Sequence, residues 1–174
     1  MRNVLAKEGA EVLCLQETKA TRLLNVRCFS IWGDNKVGWV HKKGTNGTGS
    51  TFIMWHKEAF YCDSHVEGRD FIAIFGQHLK SKLKCAVVNV YANFNLNEAA
   101  SWEDLSNIRS ANQEWAWWFC GDFNAVRRVS ERKGIREKGS QTNEIRGFNS
   151  FIERNFLVEF PIVGMKYTWF RANG

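Results

Sequence analysis

A single proline, Pro161, stands among 174 residues, so almost no turn in this chain is fixed by a pyrrolidine ring. Its connections rest on glycine, asparagine and aspartate instead. The five cysteines, Cys14, Cys28, Cys62, Cys85 and Cys120, form no Cys-x-x-Cys pair, and the four histidines, His41, His56, His65 and His78, are dispersed. That spacing gives no support to a structural zinc site. No apolar run approaches the length of a membrane span, and no basic-then-apolar leader opens the chain. An odd cysteine count without such a leader predicts a reducing compartment, nuclear or cytoplasmic, and no secretion. Acidic residues are the minority: 18 Asp and Glu face 24 Lys and Arg, a net charge of +6. The balance favours a polyanionic partner, of which nucleic acid is the commonest. Hydrophobic residues make up 44% and aromatics 14%, which argues against disorder, and the length fits one domain with a substantial core.

What is present centres on Trp117-Trp118-Phe119-Cys120-Gly121-Asp122-Phe123-Asn124. An apolar run with strand character stops at a glycine, a carboxylate and a carboxamide. In a strand, alternate residues share a face, which would point Asp122 and Asn124 the same way. Such a pair can grip a metal, a water or a phosphate, although turns use the same residue types. Two further apolar runs end in the same style. Val12-Leu13-Cys14-Leu15 leads into Gln16-Glu17-Thr18, and Ala86-Val87-Val88-Asn89-Val90 leads into Tyr91-Ala92-Asn93. Polar strand ends in α/β architectures gather on one rim, where ligands bind. Glu17, Tyr91 and the Asp122/Asn124 pair are therefore expected to converge. Read singly, Glu17 is a solvated loop carboxylate and Tyr91 a half-buried aromatic. A basic segment follows the Asp122 end: Arg127, Arg128, Arg132, Lys133, Arg136 and Lys138. It reads either as a contact for backbone phosphates or as a solvated loop diluted by Glu131 and Glu137.

The pattern along the chain predicts a first helix over residues 2–7 closed by Gly9, then a strand into Gln16. A weak stretch over 20–43 suggests short strands at Trp32, Trp39 and Val40. Strands are expected over 50–55, 59–66 and 71–79, the last two joined by Gly68-Arg69-Asp70 as a hairpin. Residues 84–91 read as a strand buried on both faces. Helical spacing covers 97–112 and again 143–156, where Ile145, Phe148, Phe151, Ile152 and Phe156 form one stripe. Tyr167-Thr168-Trp169-Phe170 predicts a final strand. No repeat or linker divides the chain, and nothing in it calls for an obligate protein partner. Neighbouring strands with few helices point to a two-sheet sandwich flanked by helices.

Leu13-Cys14-Leu15-Gln16-Glu17-Thr18-Lys19, Val88-Asn89-Val90-Tyr91-Ala92, Gly121-Asp122-Phe123-Asn124-Ala125-Val126 and Tyr167-Thr168-Trp169-Phe170 together resemble the endonuclease/exonuclease/phosphatase superfamily in order and spacing. More narrowly, Ser130-Glu131-Arg132-Lys133-Gly134 and Leu157-Val158-Glu159-Phe160-Pro161-Ile162-Val163-Gly164 resemble segments of the apurinic-type endonuclease domain of plant LINE-type (non-LTR) retrotransposons. The resemblance implies an α/β fold, a four-layer sandwich of two mainly antiparallel sheets flanked by helices. It implies metal-dependent hydrolysis of a DNA phosphodiester, with magnesium, or manganese in its place, held by Glu17. Asp122 matches the residue that activates or orients the attacking water, Asn124 the neighbour that orients the scissile phosphate, and Tyr91 a tyrosine near that phosphate. Arg127, Arg128, Arg132, Lys133 and Trp169 are the positions expected to touch DNA, chiefly its backbone phosphates. The chain also departs from the family. The family's opening strand carries an asparagine that helps order the metal, and this chain starts at the following helix. The family's closing Asp-bearing strand and Ser-Asp-His segment have no counterpart before Gly174, and Ser50 stands where the subgroup has glycine. The expectation is thus a single incomplete domain over residues 1–174, with its hydrolysis impaired. Two rival readings stay open: a catalytically silent remnant that binds nucleic acid through its basic loop, and a phosphatase of the same superfamily.

Overall fold

A computed structural model describes residues 2–18, 25–44, 49–92, 98–132 and 139–160. Four helices and seven strands lie among them: α1 (Arg2–Glu8), β1 (Val12–Thr18), α2 (Asn25–Trp32), β2 (Val37–Lys42), β3 (Ser50–His56), β4 (Phe60–Glu67), β5 (Phe71–His78), β6 (Leu83–Tyr91), α3 (Glu98–Ser110), β7 (Ala116–Asp122) and α4 (Gly139–Arg154). One sheet has the order β1-β3-β2 and the other β4-β5-β6-β7. All ladders are antiparallel except β6–β7, which runs parallel because α3 carries the chain back across the sheet. The expected two-sheet α/β sandwich is the observed architecture.

Strand alternation builds the layers. In β3, Ile53 and Trp55 face the second sheet, where Ile72, Ile74, Cys85 and Val87 meet them. Phe52 and Met54 point the other way and pack with Cys28 of α2 and Val37. In β5 and β6, the opposite residues, Phe71, Ala73, Phe75, Ala86, Val88 and Val90, meet Trp102 and Leu105 of α3 and Phe148 and Phe151 of α4. Both faces of β5 and β6 are thus covered, which is why their sequences read as near-continuous apolar runs. The stripe on α4 is core up to Ile152, and Trp102 stacks on Phe151 at 5.1 Å between ring centroids and packs against Phe148 at 5.3 Å. Phe156, expected in the same stripe, lies past the helix end at Arg154 and is exposed.

The sequence reading differs from the fold in one element. Trp32 ends a helix, α2, where a short strand was expected. The cause is tertiary, because Cys28 is fully buried against the outer face of β3 and that contact fixes a segment of weak intrinsic preference. The strand expected at 167–170 lies outside the described residues.

Candidate active site

β1 reaches the rim with Gln16, Glu17 and Thr18. The β1–β3 ladder slips between Leu15 and Thr18, and within this bulge Glu17 adopts a left-handed φ of 53°. A bulge re-aims a side chain out of strict alternation, and here it leaves the Glu17 carboxylate exposed. The chain opposite must come close. A Cβ on Gly49 would stand 2.4 Å from the Glu17 Cα, so only glycine fits beneath the bulge.

Tyr91 ends β6. Its hydroxyl donates to Glu17 Oε1 at 2.7 Å, and its backbone N–H donates to the Asp70 carbonyl at 2.8 Å. Asp70 in turn accepts the Ser101 hydroxyl, which ties the β4–β5 hairpin to α3. In the parallel β6–β7 ladder, Tyr91 is the direct partner of Asp122. The Tyr91 phenol is pushed up to about 12, first by burial, then by its hydrogen bond to Glu17 and the negative charges of Glu17 and Asp122. At neutral pH it is therefore a protonated donor that orients the Glu17 carboxylate.

β7 brings the third strand end. Gly121 has φ 124°, and a Cβ there would stand 2.1 Å from the Val90 carbonyl oxygen. The strand stops at Asp122, so Asn124 does not share a strand face with it. Instead Asp122 Oδ1 accepts the Asn124 backbone N–H at 2.9 Å, an Asx turn that puts Asn124 at φ 49°. The turn reading of this motif is realised. Asn124 Nδ2 donates to the Ala92 carbonyl at 2.6 Å, which leaves its second amide hydrogen for a ligand. Glu17, Tyr91, Asp122 and Asn124 are thus brought to one rim by three strand ends, two of them through left-handed residues. Such backbone conformations persist only where surrounding contacts over-determine them.

Several supporting residues escaped the sequence reading. Asn89 on β6 is fully buried, and it accepts Gln16 Nε2 at 2.5 Å while donating to the Leu15 and Phe52 carbonyls at 3.0 and 2.8 Å. One side chain thereby pins β1 and β3 of one sheet to β6 of the other, just below Glu17. The signal was a carboxamide inside an apolar run, since a buried amide has to find partners. Glu144 of α4 was also missed. It pairs with Arg132, whose guanidinium further donates to the Asn124 carbonyl at 3.3 Å.

The basic segment is more committed than its composition suggests. Arg127 donates to Asn149 Oδ1 at 3.1 Å and reaches Glu159 at 3.4 Å. Glu131 Oε2 accepts the backbone N–H groups of Arg127 and Arg128 at 2.9 and 3.4 Å, closing a single 3-10 turn over Val129–Glu131. Arg128 is exposed. Lys133 and Trp169 lie outside the described residues. Among the described histidines, His56 faces Asp34 at 3.7 Å, His78 faces Glu11 at 3.0 Å and His41 stacks on Phe52.

The donor set suits a hard cation. Two exposed carboxylates at one rim match magnesium, which binds through one or two carboxylates, keeps several waters and takes the rest from substrate phosphate. Among the described residues no group of three or more His, Cys, Asp or Glu forms a closed cage.

Several solved structures share this architecture. An AP endonuclease from Leishmania major is 16% identical, with a TM-score of 0.64 over 88% of this chain and 60% of that one. The endonuclease domain of TRAS1, a telomere-specific non-LTR retrotransposon, is 10% identical, with a TM-score of 0.55 over 84% of this chain and 62% of that one. The human Nocturnin catalytic domain is 18% identical, with a TM-score of 0.52 over 71% of this chain and 55% of that one. At such identities the likeness is one of fold, and the chain spans a little over half the length of these structures. No curated protein matches the sequence. The sequence does match the Endonuclease/Exonuclease/phosphatase family over residues 1–173, nearly its whole length, and the chain belongs to that family.

Proposed function

We propose that this chain carries the site of a metal-dependent endonuclease that hydrolyses DNA phosphodiesters, of the kind found in LINE-type retrotransposons. One observation carries the reading: the Tyr91 hydroxyl sits 2.7 Å from Glu17 while Tyr91 pairs with Asp122 across the β6–β7 ladder. A carboxylate for a metal and a carboxylate for a water are thus neighbours. Family membership and the fold shared with two endonuclease structures support the same reading.

Glu17 would hold magnesium or manganese, with Tyr91 fixing the carboxylate's orientation. When bound, the metal supplies charge stabilisation at a non-bridging phosphate oxygen. Asp122 accepts a proton from the attacking water, and the free amide hydrogen of Asn124 donates to the phosphate. Arg132 and Glu144 keep the Asn124 turn in place. Of Arg127, Arg128 and Arg132 in the basic segment, Arg128 is the one exposed for a backbone phosphate. The phosphatase alternative fits the rim equally well, but the net charge of +6 favours a polymeric anion.

A second reading, a silent remnant that only binds nucleic acid, is favoured by one fact. His41 stacks on Phe52, His56 faces Asp34 and His78 faces Glu11, so these partners of the three histidines are not rim residues. Absence of a positioned acid–base partner lowers rate by about 10² to 10⁴.

Supercoiled plasmid and magnesium decide between them. The hydrolytic reading expects slow, magnesium-dependent nicking that Asp122→Ala abolishes, with manganese binding seen by electron paramagnetic resonance and lost in Glu17→Gln. Salt-sensitive DNA binding without nicking or metal binding would leave the silent reading.

A further inference from the structure

We propose that Cys14 and Cys120 form an oxidisable pair that a peroxide closes into a disulfide, stapling β1 to β7 beneath the carboxylate rim. Their sulfurs lie 3.2 Å apart although the residues are 106 positions apart in sequence. A disulfide needs about 2.05 Å between sulfurs, so closure takes roughly 1 Å of side-chain movement. β1 and β7 are each the outermost strand of their own sheet among the described residues, and the two sheets meet there. The pair stands just behind the rim, since Cys14 precedes Glu17 in β1 and Cys120 precedes Asp122 in β7.

The other thiols are not so placed. Cys28 and Cys85 are buried, and Cys62 donates to the Ser64 carbonyl at 3.4 Å, its thiol pushed up to about 11 mainly by burial. Cys14 and Cys120 are both half-buried and pack beside the core between the two sheets. The Cys120 thiol donates to the Cys14 sulfur and also lies 3.4 Å from the Val88 carbonyl oxygen. Either sulfur can react first as its thiolate, and the balance is the same with Cys120 leading.

The chemistry balances with hydrogen peroxide as oxidant. The Cys120 thiolate, its proton released to solvent, attacks one peroxide oxygen and breaks the O–O bond. The departing hydroxide is protonated to water and Cys120 becomes a sulfenic acid. The Cys14 sulfur then attacks the Cys120 sulfur, the S–S bond forms and the S–O bond breaks. The hydroxide leaves with the Cys14 proton as a second water. Two electrons pass from the two sulfurs to one peroxide.

This inference does not depend on the hydrolytic reading, and its test needs no turnover. The full chain is treated with hydrogen peroxide under native conditions, alkylated in denaturant and mapped by peptide mass without reduction. The expected result is loss of alkylation at Cys14 and Cys120, with one intramolecular peptide joining them that dithiothreitol removes. Cys14→Ser and Cys120→Ser should each abolish that link. Oxidation in denaturant should instead spread linkages over all five cysteines. Both thiols still alkylated, sulfinic acid without a link, or native pairing with Cys28, Cys62 or Cys85 would overturn the proposal. The unmodified chain's map is decisive even where a serine variant fails to fold.

Discussion

Tyr91 couples two negative groups by staying protonated. Its folded value of about 12 exceeds the ordinary 10. A raised acid favours the protonated form in the fold, so this contribution is fully present below pH 10 and is lost as pH climbs through about 12. Alkaline titration followed by tyrosinate absorbance should show a component near that upper value. Tyr91→Phe should remove it and should flatten the loss of stability between those limits. A late-titrating component that survives the substitution would refute the assignment. Gly121 makes a second residue-scale prediction. Its φ of 124° and the 2.1 Å approach of the Val90 oxygen leave no room for a methyl group. Gly121→Ala should destabilise the chain by about 3 kcal/mol, read as a lower urea midpoint, because strain and backbone displacement add. A loss under about 0.5 kcal/mol would show that β6 and β7 tolerate separation there.

At the scale of elements, the rim depends on α4 although α4 supplies no rim residue. Glu144 on α4 and Arg132 are both largely withdrawn from solvent, at 11% and 19% side-chain exposure. Removing one partner of a buried pair costs about 3 kcal/mol, reduced here by the remaining exposure and by the other contacts that Arg132 keeps, among them the Asn124 carbonyl. Glu144→Ala should therefore lower stability by about 2 kcal/mol, and the Arg132→Met/Glu144→Leu double variant should recover most of it. A denaturant double-mutant cycle measures both, and additive losses would mean that the pair is not coupled. The same cycle bears on function, since Arg132 also holds the Asn124 carbonyl.

Across the whole molecule, charge and apolar exposure oppose one another. Phe156, Val158 and Phe160 are 84%, 82% and 79% exposed after α4, and Trp118 of β7 stacks on Phe160. An apolar strip of this kind promotes association, while a net charge of +6 resists it. Light scattering should show concentration-dependent self-association that grows with salt as the charge is screened. The Phe156→Ser/Phe160→Ser variant should stay monomeric under those conditions. Association unchanged by the double substitution would place the sticky surface elsewhere.

Sequence alone determined the strands and the two long helices, because period-2 and period-3.6 patterning is local and the core reads it directly. β5, β6 and α4 were legible for that reason, as was the gathering of the polar ends of β1, β6 and β7. The strand face expected to be shared by Asp122 and Asn124 was not, because β7 stops at Asp122. Helix α2 was not legible, since its conformation follows from Cys28 docking on β3. Nor were the devices that aim the rim. The bulge at Glu17 exists because Gly49 lies beneath it, and Asn124 turns back through a hydrogen bond to Asp122. The roles of Asn89 and Glu144 depend on partners far along the chain, Leu15 and Phe52 for one and Arg132 for the other. The commitment of Arg127 and Arg132 to carboxylates likewise needed the fold, because composition counts charges while only packing decides which of them face one another.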